Sequence, residues 1–153
     1  MDIYERLREL QIELPPTPAA GGIYNTVVVT GDMCYTSGHN CKVNGVLPRA
    51  GKLGKELSVE EGRMDARQCI LNILSSLHAE LGDLNRIEKI ISIFAFVASS
   101  DDFYGQPKVL DAASELLIQI FGDNGKAARS AIGVNVLPNN QPVEIQLTCK
   151  LKI

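Results

Sequence analysis

The stretch Ser58–Ala98, SVEEGRMDARQCILNILSSLHAELGDLNRIEKIISIFAFVA, predicts a long helix followed by a buried strand. Ser58 and Glu61 have the spacing of a capping box, in which each side chain bonds the backbone of the other residue. Apolar residues then recur at helical spacing, at Ala66, Ile70, Ile73, Leu74, Leu77 and Leu81. Gly82 is suited to the left-handed conformation that ends many helices. We therefore expect an amphipathic helix between Ser58 and Gly82.

The run from Arg86 to Ala98 predicts a central strand. It is dense in β-branched and aromatic residues, at Ile87, Ile90, Ile91, Ile93, Phe94, Phe96 and Val97. Polar residues bound it, with Asp83 before it and Ser99 to Asp102 after it. Such a dense run between polar boundaries indicates a strand in the centre of a sheet.

Shorter elements are predicted on both sides of this pair. Residues 2–11 form a short amphipathic helix, and Val27–Thr30 and Cys34–Ser37 form a hairpin around Gly31 and Asp32. A second long helix runs from an N-cap at Asp101 or Asp102 to Phe121, with Gly122 after it. Two strands close the chain, and residues 38–55 are irregular with a further short strand or edge pairing.

This order of elements, α, β, β, α, β, α, β, β, predicts an α+β fold. The crossovers build one mixed sheet with both long helices on a single face. A chain of 153 residues with 45% apolar content suits one domain, here residues 1–153, in which residues 1–17 are an N-terminal helical extension and loop. The other sheet face would expose much Ile and Val, so we expect oligomerisation to cover it.

Charge and cysteine usage argue against several classes of protein, although they do not exclude RNA binding. A net charge of −3, with the basic residues scattered, argues against a dedicated nucleic-acid binder. The four cysteines show neither a C-x-x-C pair nor zinc-ligand spacing, so we expect reduced thiols and no metal site. No leader or membrane-spanning run is found, which predicts a cytoplasmic protein. Nucleophile motifs and phosphate-binding loops are also missing from the sequence.

The segment Ala128–Val134, ARSAIGV, is the strongest candidate for a binding site. Because successive side chains of a strand point to opposite faces, Arg129, Ala131 and Gly133 would share one face. An arginine beside small side chains leaves room for a small carboxylate, which a guanidinium can bind bidentately. The structural alternative is a surface arginine on an edge strand.

Glu144 follows in the last strand as a candidate general acid or base, although a solvated polar residue would fit the same alternation. If the last two strands form a hairpin, Arg129 and Glu144 share a face but lie roughly 20 Å apart. A site that uses both would therefore need a neighbouring subunit or a broken register.

The first hairpin offers further polar groups. Tyr24, Ser37 and Gly38 could face a ligand, but turn chemistry is the favoured explanation for each of them. His39 could titrate near neutrality, yet without an identifiable partner we expect it at the surface, and we assign no role to His78.

These residues resemble the RidA/YjgF family, also called the L-PSP endoribonuclease family. The resemblance spans Pro18 to Ile153 and is most specific at Ala128-Arg129-Ser130, Val134, Leu137-Pro138 and Val143-Glu144-Ile145. Tyr24, Tyr35-Thr36-Ser37-Gly38 and Phe96-Val97 leading to Asp102-Phe103 also match. The resemblance implies a chorismate-mutase-like subunit, a homotrimer whose sheets form a barrel, and ligand clefts between subunits.

The resemblance also implies an activity, the hydrolysis of reactive enamines and imines to 2-keto acids and ammonia, with no metal or organic cofactor. Arg129 would bind the substrate carboxylate, Glu144 would act through a water, and Tyr24, Ser37 and Gly38 would complete the wall. The chain departs from the family at Ala131, where many members have cysteine, and at Asp111, where many have asparagine. Asp111 would repel an anionic substrate at short range. A non-catalytic binder of small carboxylates is therefore the alternative, and a ribonuclease or translation inhibitor is a third possibility.

Overall fold

The computed structural model describes residues 1–153 and contains the predicted order of helices and strands. The helices are α1 (Ile3–Glu9), α2 (Val59–Leu81) and α3 (Gln106–Phe121). The strands are β1 (Val27–Thr30), β2 (Met33–Thr36), β3 (Ile87–Ala98), β4 (Ala128–Val134) and β5 (Val143–Leu151). Short 3-10 turns lie at Leu84–Arg86, Gly122–Gly125 and Pro138–Asn140. None of the helices is long and apolar enough to cross a membrane.

Helix α2 begins and ends as its sequence predicts. The Ser58 hydroxyl accepts a hydrogen bond from the Glu61 amide, and the Glu61 carboxylate accepts one from the Ser58 amide. Gly82 ends the helix at φ 76°, in the left-handed region that costs other residues energy. The apolar stripe of α2 is buried in the core.

Helix α3 starts later than predicted. Its N-cap is Gly105 and Pro107 lies in its first turn, whereas the expected caps, Asp101 and Asp102, lie outside the helix. The Asp102 carboxylate instead accepts a hydrogen bond from the Ser100 hydroxyl. Proline is favoured in a first turn because it has no amide hydrogen to leave unpaired, and this signal outweighs an acidic residue upstream. The predicted inward residues are all buried, namely Val109, Leu110, Ala113, Leu116, Leu117 and Ile120.

The five strands form one mixed sheet in the order β1-β2-β5-β3-β4, and only β3 and β4 are parallel. The predicted terminal hairpin is therefore wrong, because β3 lies between β4 and β5. The end of β3 is bonded on both sides: the Ala98 amide donates to Pro142 O, and the Ser99 amide donates to Val134 O. The connection from β4 to β5 passes this end, with Asn139 and Asn140 at positive φ.

Both long helices cover one face of the sheet, as predicted. Residues of that face belong to a continuous core that includes Ile93, Ala95, Ile145 and Leu147. The opposite face has no helix and carries apolar side chains that are partly or largely exposed, at Val28, Tyr35, Phe94, Phe96, Ile132 and Val134. We call these six side chains the open face.

The irregular segment is anchored to the core at a few buried positions, including Cys41 and Leu53. Residues 39–57 contribute isolated bridges, including His39 with Ile145 and Leu53 with Ser99, but no further strand. All four cysteines are buried as free thiols. Helix α1 packs Ile3 and Leu7 into the same core.

One buried carboxylate predicts a pH dependence of stability. Asp65 on α2 is fully buried and paired with Arg49, and its Oδ2 atom has no hydrogen-bond partner. Burial raises the pKa of Asp65 to about 6, and Arg49 opposes this only in part. The folded pKa lies above the unfolded value of about 3.9, so the stability that Asp65 contributes is present below that value and is lost as the pH rises through about 6.

We expect the free energy of unfolding of the wild type to lose about 2–3 kcal/mol from this group between pH 4 and 7. Asp65→Asn should remove that part of the slope, because its amide does not titrate. Urea unfolding of both proteins across this range measures the difference. Parallel curves for the two proteins would contradict the assignment.

Candidate functional site

A cavity of about 580 Å³ lies at the corner where the first hairpin meets α2. Three predicted substrate-binding residues, Tyr24, Ser37 and Gly38, line it together. The Tyr24 hydroxyl accepts a hydrogen bond from the Gly21 amide at 2.8 Å, which holds the ring against the segment that precedes β1. The segment before β1 and the segment after β2 therefore share one wall of a cavity.

Glu144 packs directly against this corner. A Cβ atom on Gly38 would lie 2.8 Å from the Glu144 Cδ, so the carboxylate lies over the glycine. The side-chain amide of Gln141 donates through Nε2 to Glu144 Oε1 at 3.0 Å, and Gln141 is itself buried. The carboxylate is only partly buried, so it is held in place and still reached by water. That position suits a group that moves protons through a water molecule.

Gly38→Ala should displace this carboxylate. The new methyl group would lie under 3.0 Å from Glu144 Cδ and Oε2, and the flexible side chain can relieve the overlap only by moving. We expect about a tenfold or greater loss in kcat for any reaction that needs Glu144, with a change of at most about 1 kcal/mol in stability. Steady-state kinetics and thermal unfolding of the variant measure the two effects. Unchanged kcat in a folded variant would contradict this role of the close contact.

His39 is buried, not at the surface as expected. A carbonyl oxygen can only accept, so Nδ1 carries the proton and donates to Ser37 O at 2.8 Å, and Nε2 accepts from the Ser76 hydroxyl at 2.8 Å. Burial lowers the pKa of His39, which keeps the ring neutral. His39 therefore fixes the backbone of Ser37 from behind. Its two partners are distant in sequence or part of the backbone, so no sequence signal identifies them.

Arg129 lies at the other edge of the sheet, on β4, with its guanidinium against α3. Its Nη1 donates to Asp111 Oδ1 at 2.8 Å and to the Ser114 hydroxyl at 3.1 Å, and its Nη2 donates to Pro107 O at 3.4 Å. Nε makes no hydrogen bond within the chain. The side chain is 23% exposed. The Nη1 side of the guanidinium is thus fixed. The opposite edge, formed by Nε and Nη2, keeps N–H donors for a planar acceptor such as a carboxylate.

Asp111 and Ala131 are neighbours of this arginine. Asp111, a predicted site residue, is the ion-pair partner of Arg129, and its own side chain is half exposed. Ala131 is two residues further along β4 and shares the face of Arg129. The structure thus brings Arg129 and Asp111 together.

The two groups of candidate residues do not meet within one chain. Arg129 is paired with Ile93 and so faces the helices, whereas Glu144 is paired with Phe96 and lies on the opposite face. The prediction that the two share a face is wrong because it assumed the terminal hairpin. Two strand spacings and three residues of offset separate their backbones by roughly 14 Å. No single small substrate can contact both residues in one chain.

Several polar residues near the site carry no pattern in the sequence. Gln141 beside Glu144, Ser114 beside Arg129, and Asn72 and Lys42 at the cavity become visible only when the chain is folded. No group of three or more His, Cys, Asp or Glu side chains is placed to hold a metal ion.

The chain is similar to one family of known proteins throughout its length. The family described as "YjgF/chorismate mutase-like, putative endoribonuclease" matches residues 4–151. Protein TCP17 of Trypanosoma cruzi is 37% identical over 148 residues, which cover 95% of this chain and 91% of that protein.

Two solved structures share both the fold and about a third of the residues. A "putative endoribonuclease" from Shewanella oneidensis MR-1 superposes with a TM-score of 0.94 at 32% identity, covering 99% of this chain and 100% of that one. Atu1372 of Agrobacterium tumefaciens, described as having unknown function, superposes at 0.90 with 33% identity, covering 98% and 92%. The predicted chorismate-mutase-like fold is confirmed.

Proposed function

The chain belongs to the YjgF/chorismate-mutase-like family, and from that premise we propose that it hydrolyses imines and enamines of 2-amino acids to 2-keto acids and ammonia. The observation that carries the proposal is the guanidinium of Arg129. It is fixed by α3 along one edge and keeps donors on the other, which suits the carboxylate that every 2-imino acid has.

The complete site forms between copies of the chain. Arg129 is on edge strand β4, and the corner of Tyr24, Ser37, Gly38 and Glu144 is on the side of the sheet where β1 and β2 lie. A closed ring can place the β4 edge of one copy beside that corner of the next. The apolar open face supports such an assembly, because it needs cover from water. A homotrimer with three equivalent sites satisfies both requirements.

The reaction requires little beyond positioning and proton transfer. Water adds to C2 of the protonated imine and gives a carbinolamine, which then expels ammonia and leaves the carbonyl of the 2-keto acid. An enamine is first protonated at C3, which converts it to the imine. Glu144 accepts a proton from the attacking water and gives it to the departing nitrogen. It then accepts the hydroxyl proton as the carbonyl forms and passes it to the released ammonia, as a single carboxylate near water can do. The imine is already electrophilic, so no cofactor enters the proposal.

A second candidate function is the binding of small carboxylates without turnover, which the free donors of Arg129 support equally and which does not need an acid or base at Glu144. In either function the carboxylate of Asp111 offsets part of the positive charge that the anion meets. A ribonuclease, named in the family's description, would need a basic surface, and this chain has 15 basic against 18 acidic residues.

The test is ammonia release when the purified protein is added to a pyridoxal-phosphate dehydratase that produces 2-aminoacrylate or 2-aminocrotonate. Acceleration above the spontaneous rate, proportional to protein concentration, supports the hydrolase. A folded oligomer that leaves the rate unchanged but binds the 2-keto acid product favours the binding protein.

A further inference from the structure

We propose that Lys42 binds a second anionic group of the substrate, so that the site selects imines of dicarboxylic amino acids. This inference rests on the proposed function, because the cavity that Lys42 lines is also lined by Tyr24, Ser37 and Gly38. It goes further in naming the substrate class and a residue that determines specificity.

The charge of the cavity is the first argument. Lys42 is the one charged residue in its lining, and His39, the other titratable base there, is neutral. No carboxylate lines the cavity. The ammonium of Lys42 makes no ion pair or hydrogen bond within the chain, in contrast to Lys150, which pairs with Glu88 at 3.2 Å. A half-buried cation with no counter-ion favours an anion from solution.

The backbone around Lys42 is fixed, which is the second argument. Asn72, buried on α2, donates through its Nδ2 atom to the carbonyls of Asn40 and Lys42 at 2.9 Å each, and its Oδ1 accepts from Gln68. The Lys42 amide in turn donates to Asn40 Oδ1 at 2.9 Å. Both N–H groups of the Asn72 side-chain amide thus hold this turn, and the bond from Gln68 fixes the orientation of that amide. The backbone from which the Lys42 side chain extends is therefore fixed at the wall of the cavity.

The volume of the cavity is the third argument. Cavities of roughly 300–1,000 Å³ hold ligands larger than a three- or four-carbon acid. At about 580 Å³ this one leaves room beyond the 2-imino acid itself, and the additional wall is polar, with Asn40 and Asn44 beside Lys42. An aliphatic side chain would meet hydrogen-bonding groups there without satisfying them. A side-chain carboxylate satisfies them and pairs with Lys42.

The substrate then has a carboxylate at each end. Arg129 of a neighbouring copy binds the carboxylate beside the imine carbon, Glu144 lies over Gly38 for the proton transfers, and Lys42 binds the distal carboxylate. The distal group does not react, so Lys42 contributes to specificity and not to the chemical step.

The experiment compares two imines made in place by flavin oxidases, which use oxygen as the oxidant. D-Aspartate oxidase with D-aspartate supplies a dicarboxylic imine, and D-amino-acid oxidase with D-alanine supplies a monocarboxylic one. Trapping of the remaining imine by semicarbazide measures its hydrolysis by the protein. We expect the wild type to favour the dicarboxylic imine by about tenfold or more in kcat/KM, and Lys42→Met to lose about 10–100-fold on that imine alone. Lys55→Met is the matched control, an exposed lysine of the same irregular segment that does not line the cavity.

Equal rates on the two imines, or an equal loss on both in Lys42→Met, would overturn the inference while leaving the hydrolase intact. If the wild type hydrolyses neither imine, the proposed function fails, and calorimetry with oxaloacetate and pyruvate decides the inference separately. Tighter binding of oxaloacetate that depends on Lys42 upholds it as a ligand preference. If oxaloacetate does not bind more tightly than pyruvate, the inference is overturned. It is also overturned if phosphoenolpyruvate binds more tightly than oxaloacetate, because the preferred second anion would then be a phosphate and not a carboxylate.

Discussion

Arg129→Ala should lower kcat/KM for imine hydrolysis by about 10²–10³-fold and leave the fold and the oligomer intact. Two charge-assisted hydrogen bonds to a carboxylate, at about 1.5–3 kcal/mol each, account for a loss of this size. The variant also leaves the Asp111 carboxylate without its partner, close to where the anion binds. Repulsion by Asp111 therefore adds to the lost attraction.

Two further variants separate shape from charge. Arg129→Lys should restore little, because an ammonium lacks the planar fork that contacts a carboxylate with two parallel donors. Asp111→Asn should act in the opposite direction and lower KM, since the amide can still accept from Nη1 but no longer repels the substrate. A lower KM in Asp111→Asn would identify the aspartate as a group that weakens anion binding and orients Arg129.

Arg63→Ala is the matched control for Arg129→Ala. Arg63 also pairs with a carboxylate of α3, Glu115 at 2.9 Å, and also donates to a helix carbonyl, that of Lys108 at 2.7 Å. It is similarly exposed, at 32%, but it is not one of the candidate site residues. Comparable losses in the two variants would mean that the arginine at position 129 acts by holding α3. Full activity in Arg129→Ala would contradict the hydrolase mechanism itself.

Local signals predicted the parts of the fold that short segments determine. The capping box at Ser58, the stripe along α2 and the dense apolar run of β3 each depend on residues within a few turns or a few strand positions. These elements form where their own sequence favours them, so their positions could be predicted closely. The start of α3 was missed because Pro107 and Asp102 give competing local signals, and the proline determined the helix.

Strand pairing could not be predicted in the same way. Adjacent strands usually pair, and the connection between β4 and β5 is short enough for a hairpin, yet β3 lies between them. A parallel crossover through α3 places β4 on one side of β3. Strand β5 then pairs with the other side of β3 and with β2. This choice depends on the packing of α3 across the sheet, which is a property of the whole fold. The error reversed the face assigned to Glu144 relative to Arg129.

Sequence patterns single out candidate site residues, some of which lie together in the fold, but they do not identify the partners of those residues. Tyr24, Ser37 and Gly38 line one cavity, and Asp111 contacts Arg129. The residues that hold them, His39 behind Ser37 and Gln141 beside Glu144, are buried polar groups whose partners are set by tertiary contacts. A single histidine with no motif gives no sign that it will be buried and neutral. Polar positioning groups of this kind become predictable only once the fold is known.

Glu144→Gln should separate catalysis from binding more sharply than any other change. The amide keeps the size of the carboxylate and can still accept from Gln141 Nε2, so the side chain stays over Gly38. It cannot accept a proton from water at neutral pH, and loss of a positioned general base or acid typically costs 10²–10⁴-fold. We therefore expect kcat to fall by about 10²–10³-fold while the dissociation constant of the 2-keto acid product changes less than about threefold.

Gln146→Ala is the control for this variant. Gln146 is two residues further along β5 on the same face, and its side chain is exposed and makes no hydrogen bond within the chain. It should retain wild-type kinetics.

Product binding measured by calorimetry and turnover measured by ammonia release give the two readouts on the same protein samples. If Glu144→Gln weakens product binding and turnover equally, the carboxylate acts in ligand binding and the proton transfers must be assigned to water alone. If turnover falls and binding is retained, the carboxylate over Gly38 is the group that moves the proton, and Arg129 alone accounts for recognition of the carboxylate beside the imine.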